Sequence, residues 1–312
     1  MLELNTMVEQ TTGSLPIQTL GSSEAQYPTF DHAHDNTQSH SVDSVQEVTG
    51  FYDMMRSYWN ELSGFDAPEP TIMLNFGYWP EGVANLRNAQ FALLKKITAN
   101  LTKFQTEGAG LEIGCGIGGI SISVLQQLPG ARIVGVDISE HQLSLAKRNA
   151  EKDQVQDRFL AQLGDSMDLP FPDARFDFCL CIESSFHYID KRAFFEECFR
   201  TLKPGGLAII ADITCSNLEG VLFRHGNHFE AVQQYRDHID ACGFQLLSQE
   251  DIGPQVYLPL YKHVLAFNRQ RRNQVARYWS RVLRNYWLLA EAAEMGYHIF
   301  VVQKPEEAPL AA

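Results

Sequence analysis

The sequence predicts an α/β protein built on a parallel, doubly wound sheet. Three observations carry that prediction. From Gly110 onward, short strand-like apolar runs alternate with amphipathic helical segments, which is the pattern of βαβ units. A glycine turn, Leu111-Glu-Ile-Gly-Cys-Gly-Ile-Gly-Gly119, joins the first run to the apolar segment Ile120–Leu128, so a strand, a tight turn and a helix follow one another. Asp137, Asp165, Glu183 and Asp212 stand at or near the carboxyl ends of successive runs, where the ligands of such sheets bind.

Residues 1–43 are rich in Ser, Thr, Gln and Asn without sustained periodicity, and a disordered tail is expected there. His32, His34 and His40 lie in it without supporting ligands, so no metal site is expected. Residues 44–108 should form a helical N-terminal cap. Ser44 and Glu47 make a capping box, and Val48, Phe51, Tyr52, Met55, Tyr58, Trp59 and Leu62 recur at helical spacing. Ile72–Trp79 reads as a loop with a short extended piece, and a second helix is expected over about 85–101.

The main domain is expected over 109–305. Its strands fall at Leu111–Gly114, Ala131–Val136, Arg158–Leu163, Phe176–Ile182, Leu207–Ile213, Phe244–Asp251 and Tyr297–Gln303. One helix opens at Ser139, with Gln142 completing a capping box. Another runs over Arg192–Leu202 and stops at Lys203-Pro-Gly-Gly206, and a third covers Phe229–Cys242 and ends at Gly243. Residues 253–296 form a helical insertion before the last strand. Residues 306–312 are expected to be a flexible tail.

In the insertion, positions 275, 279, 282, 286 and 289 make an apolar stripe opposite Arg277, Arg281 and Arg284, and no acidic residue occurs between Asp251 and Glu291. One reading is a solvated arginine face over a core stripe. The sharper reading is a lid that recognises an acidic substrate or partner, with Arg269, Arg271 and Arg272 contributing.

The net charge of −13 over 312 residues argues against general nucleic-acid binding and against adhesion to anionic membranes. The six cysteines form no metal pattern, which suggests free thiols in a reducing compartment. The N-terminus lacks a basic segment followed by an apolar run, and no stretch approaches the roughly 18 apolar residues of a membrane span. A cytoplasmic location is therefore expected.

The glycine turn alone is ambiguous, because Gly114, Gly116 and Gly119 also satisfy the dinucleotide pattern G-x-G-x-x-G. Glu112, just before the glycines, suits ligand hydroxyls or a cationic ligand group and would repel a phosphate. No Lys or Arg lies in the turn to neutralise a pyrophosphate. Asp137, about 20 residues beyond the glycines, is placed to accept from ribose hydroxyls. Asp165 is placed to accept from an exocyclic amine, with Met167 and Leu169 flanking a flat base.

Glu112-x-Gly114-x-Gly116-x-Gly118, Asp137 after Val134-Gly-Val, Gly164-Asp165-x-Met167-Asp-Leu-Pro-Phe171 and Leu202-Lys-Pro-Gly-Gly206 together resemble the ordered motifs of class I S-adenosylmethionine (SAM)-dependent methyltransferases. The subgroup they are most similar to contains the ubiquinone-biosynthesis, tocopherol, sterol and natural-product sugar O-methyltransferases. Asn75-Phe-Gly-Tyr-Trp79 resembles its His-Phe-Gly-Tyr-Trp segment, with Asn75 replacing the histidine, and Glu183-Ser-Ser-Phe-His-Tyr188 resembles its Glu-Ser-x-x-His segment. The expected fold is then Rossmann-like, with seven strands, the last antiparallel, a helical cap before the sheet and a helical lid before the last strand.

The resemblance implies SAM as cofactor and S-adenosylhomocysteine as product. It implies that Glu112, Gly114, Cys115, Gly116 and Gly118 hold the methionine portion, Asp137 the ribose and Asp165 the adenine amine. Ile138, Gly164, Ser166, Met167 and Glu183 would line the same site, and Tyr52 (or Tyr58 or Tyr78) would close over the sulfonium. His187 would act as general base and Asp212 as its partner. The expected reaction is methyl transfer to a hydroxyl of a small, partly apolar molecule in secondary metabolism. N- or C-methylation, a SAM-binding protein or cyclase that transfers no methyl group, and an NAD-dependent oxidoreductase are the alternatives.

Overall fold

A computed structural model describes residues 55–63, 73–222, 226–269, 271 and 274–306. The apolar runs become β1 (Gly108–Ile113), β2 (Ala131–Asp137), β3 (Phe159–Leu163), β4 (Phe176–Ile182), β5 (Leu202–Cys215), β6 (Gln245–Asp251) and β7 (Met295–Gln303). They form one sheet of order β3-β2-β1-β4-β5-β7-β6. Pairings among the first five strands are parallel, and β7 runs antiparallel between β5 and β6. Strand order reverses between β1 and β4, so the crevice at their carboxyl ends receives the glycine turn from one side and the Glu183–His187 segment from the other.

Parallel strands covered on both faces must be apolar on both. Strand β4, Phe-Asp-Phe-Cys-Leu-Cys-Ile, satisfies this. Phe178, Leu180 and Ile182 enter the core shared with the N-terminal helices, while Cys179 and Cys181 enter the core beneath the opposite face. The covering helices are α2 (Leu86–Thr98), α3 (Gly119–Gln127), α4 (Glu140–Lys152), α5 (Lys191–Thr201) and α6 (Val232–Cys242). Residues 55–63 are helical and are labelled α1.

The helical insertion is built of two helices, α7 (Tyr257–Asn268) and α8 (Gln274–Glu291). Asn268 ends the first and stitches it to the second, its Nδ2 donating to Ala276 O (2.9 Å) and Ser280 Oγ (3.0 Å). Its Oδ1 accepts from Tyr58 on α1 at 3.0 Å. Trp59 and Trp279 meet at 4.6 Å between ring centroids, and Tyr58 stacks on Trp279 at 6.5 Å. The N-terminal helices and the insertion therefore share one aromatic core.

Other boundaries differ for local reasons. The turn Lys203-Pro-Gly-Gly206 lies within β5, which starts at Leu202 and carries a register irregularity against Phe176 and Phe178. The second helix stops at Thr98 and continues as a 3₁₀ turn over Ala99–Phe104. The Ser139 capping box closes on one side only. Ser139 Oγ accepts from Gln142 N–H, while Gln142 Oε1 is buried without a hydrogen-bond partner among the described residues. The N-terminal tail, residues 307–312, the Ser44–Glu47 box, Tyr52 and Arg272 lie outside the described residues.

Candidate active site

Glu112 ends β1 almost fully buried. Its Oε2 accepts from the backbone N–H of Ser121 at 2.9 Å and from the Ser121 hydroxyl. Strand β1 is thereby tied to the first turn of α3, and both of these bonds fall on one of the two carboxylate oxygens. Burial lifts the Glu112 carboxyl to about 8 against those hydrogen bonds.

The glycine turn divides its labour unevenly. Gly114 and Cys115 donate their N–H groups to Val136 O at 2.8 and 2.9 Å, and Gly116 donates to Asp137 Oδ2 at 2.8 Å. The turn's early amides are thus spent on β2, not held ready as an anion nest. Gly114 (φ +73°) is walled in, since a Cβ there would lie 1.8 Å from Ser184 Oγ and 2.8 Å from Tyr188 OH. Gly116 (φ +51°) faces open space, with nothing within 4 Å of such a Cβ. Of these two, Gly116 leaves open space beside the turn, and Gly114 is closed in by the Ser184–Tyr188 pair. Gly118 caps α3. Cys115 is buried under the turn and fills the space above Gly135; burial holds its thiol well above the ordinary range.

Asp137 joins the turn to the start of α4, with Oδ2 on Gly116 N–H and Oδ1 on Ser139 N–H at 2.9 Å. Burial raises its pKa. Ile138 follows it, half-buried. After β3, Gly164 N–H donates to Asp137 O at 3.2 Å. Asp165 is half-buried and accepts from Met167 N–H at 2.9 Å, and Ser166 packs beside it. Met167 is half-buried, but Leu169 departs from the expected role. It is a core residue beside Phe171 and Phe176, so it does not flank a bound base.

Across the crevice, Glu183 ends β4 with φ +48°, a left-handed conformation strained for a non-glycine residue. Its Oε1 accepts from Phe76 N–H at 2.7 Å and from Tyr297 OH at 2.8 Å. One carboxylate oxygen thus fastens the 73–79 segment to β4 and β7. Burial lifts this carboxyl to about 8. Neither Phe76 nor Tyr297 carried any sequence signal for this role.

Ser185–His187 form a 3₁₀ turn. Asp212, on β5 and fully buried, holds that turn. Its Oδ2 accepts from the Ser185 hydroxyl and from Phe186 N–H at 3.1 Å, and its Oδ1 accepts from Ile213 N–H at 2.7 Å. The two bonds on Oδ2, from the Ser185 hydroxyl and the Phe186 N–H, tie Asp212 to the turn that carries His187, and the bond on Oδ1 stays within β5. Burial lifts the Asp212 carboxyl to about 6.

The imidazole Nδ1 of His187 lies 3.2 Å from Gly226 O. A carbonyl only accepts, so Nδ1 carries the proton and the neutral ring has its lone pair on Nε2. Lys191, almost fully buried, clamps the same turn to the 226–229 segment by donating to Tyr188 O (3.2 Å) and His228 O, while His228 N–H donates to Phe186 O at 2.6 Å. Tyr235 OH meets Ser185 Oγ at 2.9 Å. Lys191 and Tyr235 escaped sequence reasoning because a lysine one residue past an N-cap and a tyrosine on an amphipathic helix look ordinary.

An aromatic wall leads from His187 toward the N-terminal helices. Phe186 stacks on Phe229 (5.7 Å), Phe229 meets Tyr286 edge-on (6.1 Å), and Tyr286 contacts Phe76 (6.5 Å) and Tyr257 (6.3 Å). Tyr58 and Tyr78, the alternatives to Tyr52 over the sulfonium, are engaged elsewhere. Tyr58 lies in the core shared with the insertion, and Lys96 sits over the Tyr78 ring at 5.0 Å. No group of residues able to hold a metal ion is present among the described residues, and none of their helices is long and apolar enough to cross a membrane.

Residues 111–210 match the methyltransferase domain family. The chain is 36% identical over 140 residues to erythromycin 3''-O-methyltransferase of Saccharopolyspora erythraea, 45% of each chain, so it spans less than half of that relative. It is 27% identical to the 27-O-demethylrifamycin SV methyltransferase of Amycolatopsis mediterranei over 82% of this chain and 94% of the relative. It is 30% identical to the O-methyltransferase rstn1 of Aspergillus nomiae over 54% of this chain and 72% of the relative. Among solved structures, the cyclase SpnF superposes with a TM-score of 0.69 at 24% identity, covering 84% of this chain and 96% of that one, and shares the fold. With the strand order, the glycine turn and the carboxylates at the strand ends, these matches place the chain in the class I S-adenosylmethionine-dependent methyltransferases.

Proposed function

We propose that the protein is a natural-product O-methyltransferase that acts on a hydroxyl of a small, largely apolar molecule. The observation that carries the proposal is the His187 turn, where the Gly226 carbonyl fixes the proton on Nδ1 and leaves Nε2 as the basic nitrogen. The erythromycin and rstn1 relatives are O-methyltransferases and the rifamycin relative is a methyltransferase of an O-demethyl compound, which supports the acceptor class.

The residues fit SAM chemically. Acidic and neutral acceptors, Glu112, Asp137 and Asp165, surround a turn without basic side chains. Gly116 leaves open space, and the orphaned Gln142 Oε1 adds an acceptor close in sequence to Asp137. In this reading Glu112 and the Gly116 side of the turn hold the amino-acid end, Asp137 the ribose, and Asp165, with Ser166 and Met167, the adenine. SAM, when bound, supplies an activated methyl group on a sulfonium.

The chain's own contribution is alignment, exclusion of water and removal of one proton. Holding donor and acceptor in line contributes about 7–11 kcal/mol in favourable cases. The Phe186–Phe229–Tyr286–Phe76 wall presents apolar surface to the acceptor. His187 Nε2 takes the hydroxyl proton as the oxygen attacks, and Asp212, Lys191 and Tyr235 keep the turn in place.

Incubation with methyl-labelled SAM and a panel of hydroxylated apolar acceptors tests the reading. His187→Ala should keep SAM affinity and lose turnover by about 10²–10⁴-fold. Full turnover by this variant on the methylated acceptor removes the base. Persistent SAM binding without label transfer to any acceptor favours a ligand-retaining cyclase instead.

A further inference from the structure

The acid–base balance of the chain is sharply segregated. Seven of its 25 basic residues fall between Ile252 and Ala290, where no acidic residue occurs, which leaves 18 basic against 38 acidic residues elsewhere. Six of those seven are arginines, the residue suited to bidentate pairing with carboxylates across an interface. On α8, Arg277, Arg281 and Arg284 are exposed on successive turns, and Leu288, 44% exposed, continues the same stripe. The opposite stripe of α8, with Trp279, Val282, Leu283 and Tyr286, is buried. On α7, Lys262, Leu265 (40% exposed) and Arg269 form an outward stripe of the same mixed character.

Elsewhere the molecule pairs many of its surface cations: Lys96 with Glu250, Arg192 with Glu196, Arg200 with Asp173 and Glu197, and Lys203 with Asp177. Lys262, Arg269, Arg281 and Arg284 have no ion pair among the described residues. Arg271 is engaged within the protein. It lies over the Phe267 ring at 3.6 Å and 3.7 Å from Glu61, so it joins the insertion to α1 rather than facing outward.

From this segregation we infer that the outer face of α7 and α8 is a docking surface for an acidic protein partner. The buried side of α8 places Tyr286 in the aromatic wall beside the proposed acceptor site, so a partner on the outer side sits directly over that site's roof. A compact acidic protein meets the basic face alone. An extended polyanion, such as an anionic membrane or duplex DNA, would also meet the acidic remainder of the surface and be repelled. The exposed leucines give the patch apolar contact points among the charges.

The test uses the full chain and a labelled oligo-L-glutamate peptide of about eight residues, short enough to lie on the basic face alone, followed by fluorescence anisotropy across a salt series. Wild type should bind, with affinity falling as salt rises. The triple variant R277E/R281E/R284E should lose at least about tenfold in affinity, while R192E, outside the patch, should not. SAM titration calorimetry on the same samples shows that the fold is intact, and R277Q/R281Q/R284Q, expected to show a smaller loss in the same direction, serves if the charge-reversed variant does not fold. Absence of wild-type binding, equal binding by the variants, or tighter binding of phosphatidylserine vesicles or duplex DNA than of the oligoglutamate overturns the inference. So does a wild-type dimer, seen by sedimentation, that dissociates in the triple variant, because the face would then belong to a second copy.

Discussion

Replacing Gly114 and Gly116 separately by alanine distinguishes a packing glycine from a ligand-facing one. Both residues have positive φ, +73° and +51°, so each alanine incurs about 1–2 kcal/mol for a left-handed backbone. At Gly116 the structure adds nothing to that figure, because the new Cβ meets no atom within 4 Å. At Gly114 the methyl would lie 1.8 Å from Ser184 Oγ, 2.6 Å from Ser184 Cβ and 2.8 Å from Tyr188 OH. Making room costs about 1–3 kcal/mol of overpacking. It also disrupts the Ser184–Tyr188 hydrogen bond of 2.7 Å, worth about 0.5–1.5 kcal/mol. The expected loss at Gly114 is therefore about 2.5–6.5 kcal/mol, a large part of the roughly 5–15 kcal/mol that stabilises most domains. Urea unfolding of both variants, with SAM titration calorimetry on each, measures the contrast. Gly114→Ala should unfold early. Gly116→Ala should remain within about 2 kcal/mol of wild type yet bind SAM at least about tenfold more weakly, a difference of about 1.4 kcal/mol. Equal destabilisation of the two, or wild-type SAM affinity in Gly116→Ala, refutes the division of roles.

Burial raises the Glu183 carboxyl from 4.5 to about 8, so the folded state holds a proton that the unfolded chain has released. The associated stability is complete below about pH 4.5 and is lost as pH rises through about 8, at about 1.4 kcal/mol per unit of separation. Glu183→Gln should flatten the fall in unfolding free energy between these limits, and an unchanged slope in denaturant titrations would assign it to other groups. Asp212→Asn turns one acceptor oxygen into a donor facing Ser185 and the Phe186 amide, so it should cost about 1–3 kcal/mol of stability. In the same variant kcat should fall far more than KM, with SAM affinity preserved. A matched rise in KM would mean that Asp212 shapes the acceptor site instead of the His187 turn.

Most of the sheet was legible because buried parallel strands are written in nearly continuous apolar residues and the helices between them in amphipathic ones. The strand-end carboxylates were legible for the same reason, since the strand boundaries position them. What the sequence concealed was who holds whom. Glu112 reads as a free carboxylate, but one of its oxygens is taken by Ser121, nine residues on. The glycine amides read as donors to a ligand but close onto Val136 and Asp137. Glu183 finds Phe76 and Tyr297 across more than a hundred residues in each direction, a pairing that no periodicity encodes. Leu169 looked like a neighbour of the base because it adjoins Asp165, yet the turn after β3 sends it into the core with Phe171. The joint between α7 and α8 is closed by Asn268, whose side chain serves three partners while its sequence position suggests nothing.

The aromatic core shared by α1 and α8 also bears on how such an enzyme can be altered. Trp59 and Trp279 are 220 positions apart, yet each fills the space against the other, and Tyr58 and Asn268 close the same joint. A chimera that took one segment from a relative and kept the other would meet its partner with mismatched volumes and an orphaned amide. Exchange of either segment therefore requires both to be exchanged together, as a two-piece module that chain order disguises as two unrelated stretches.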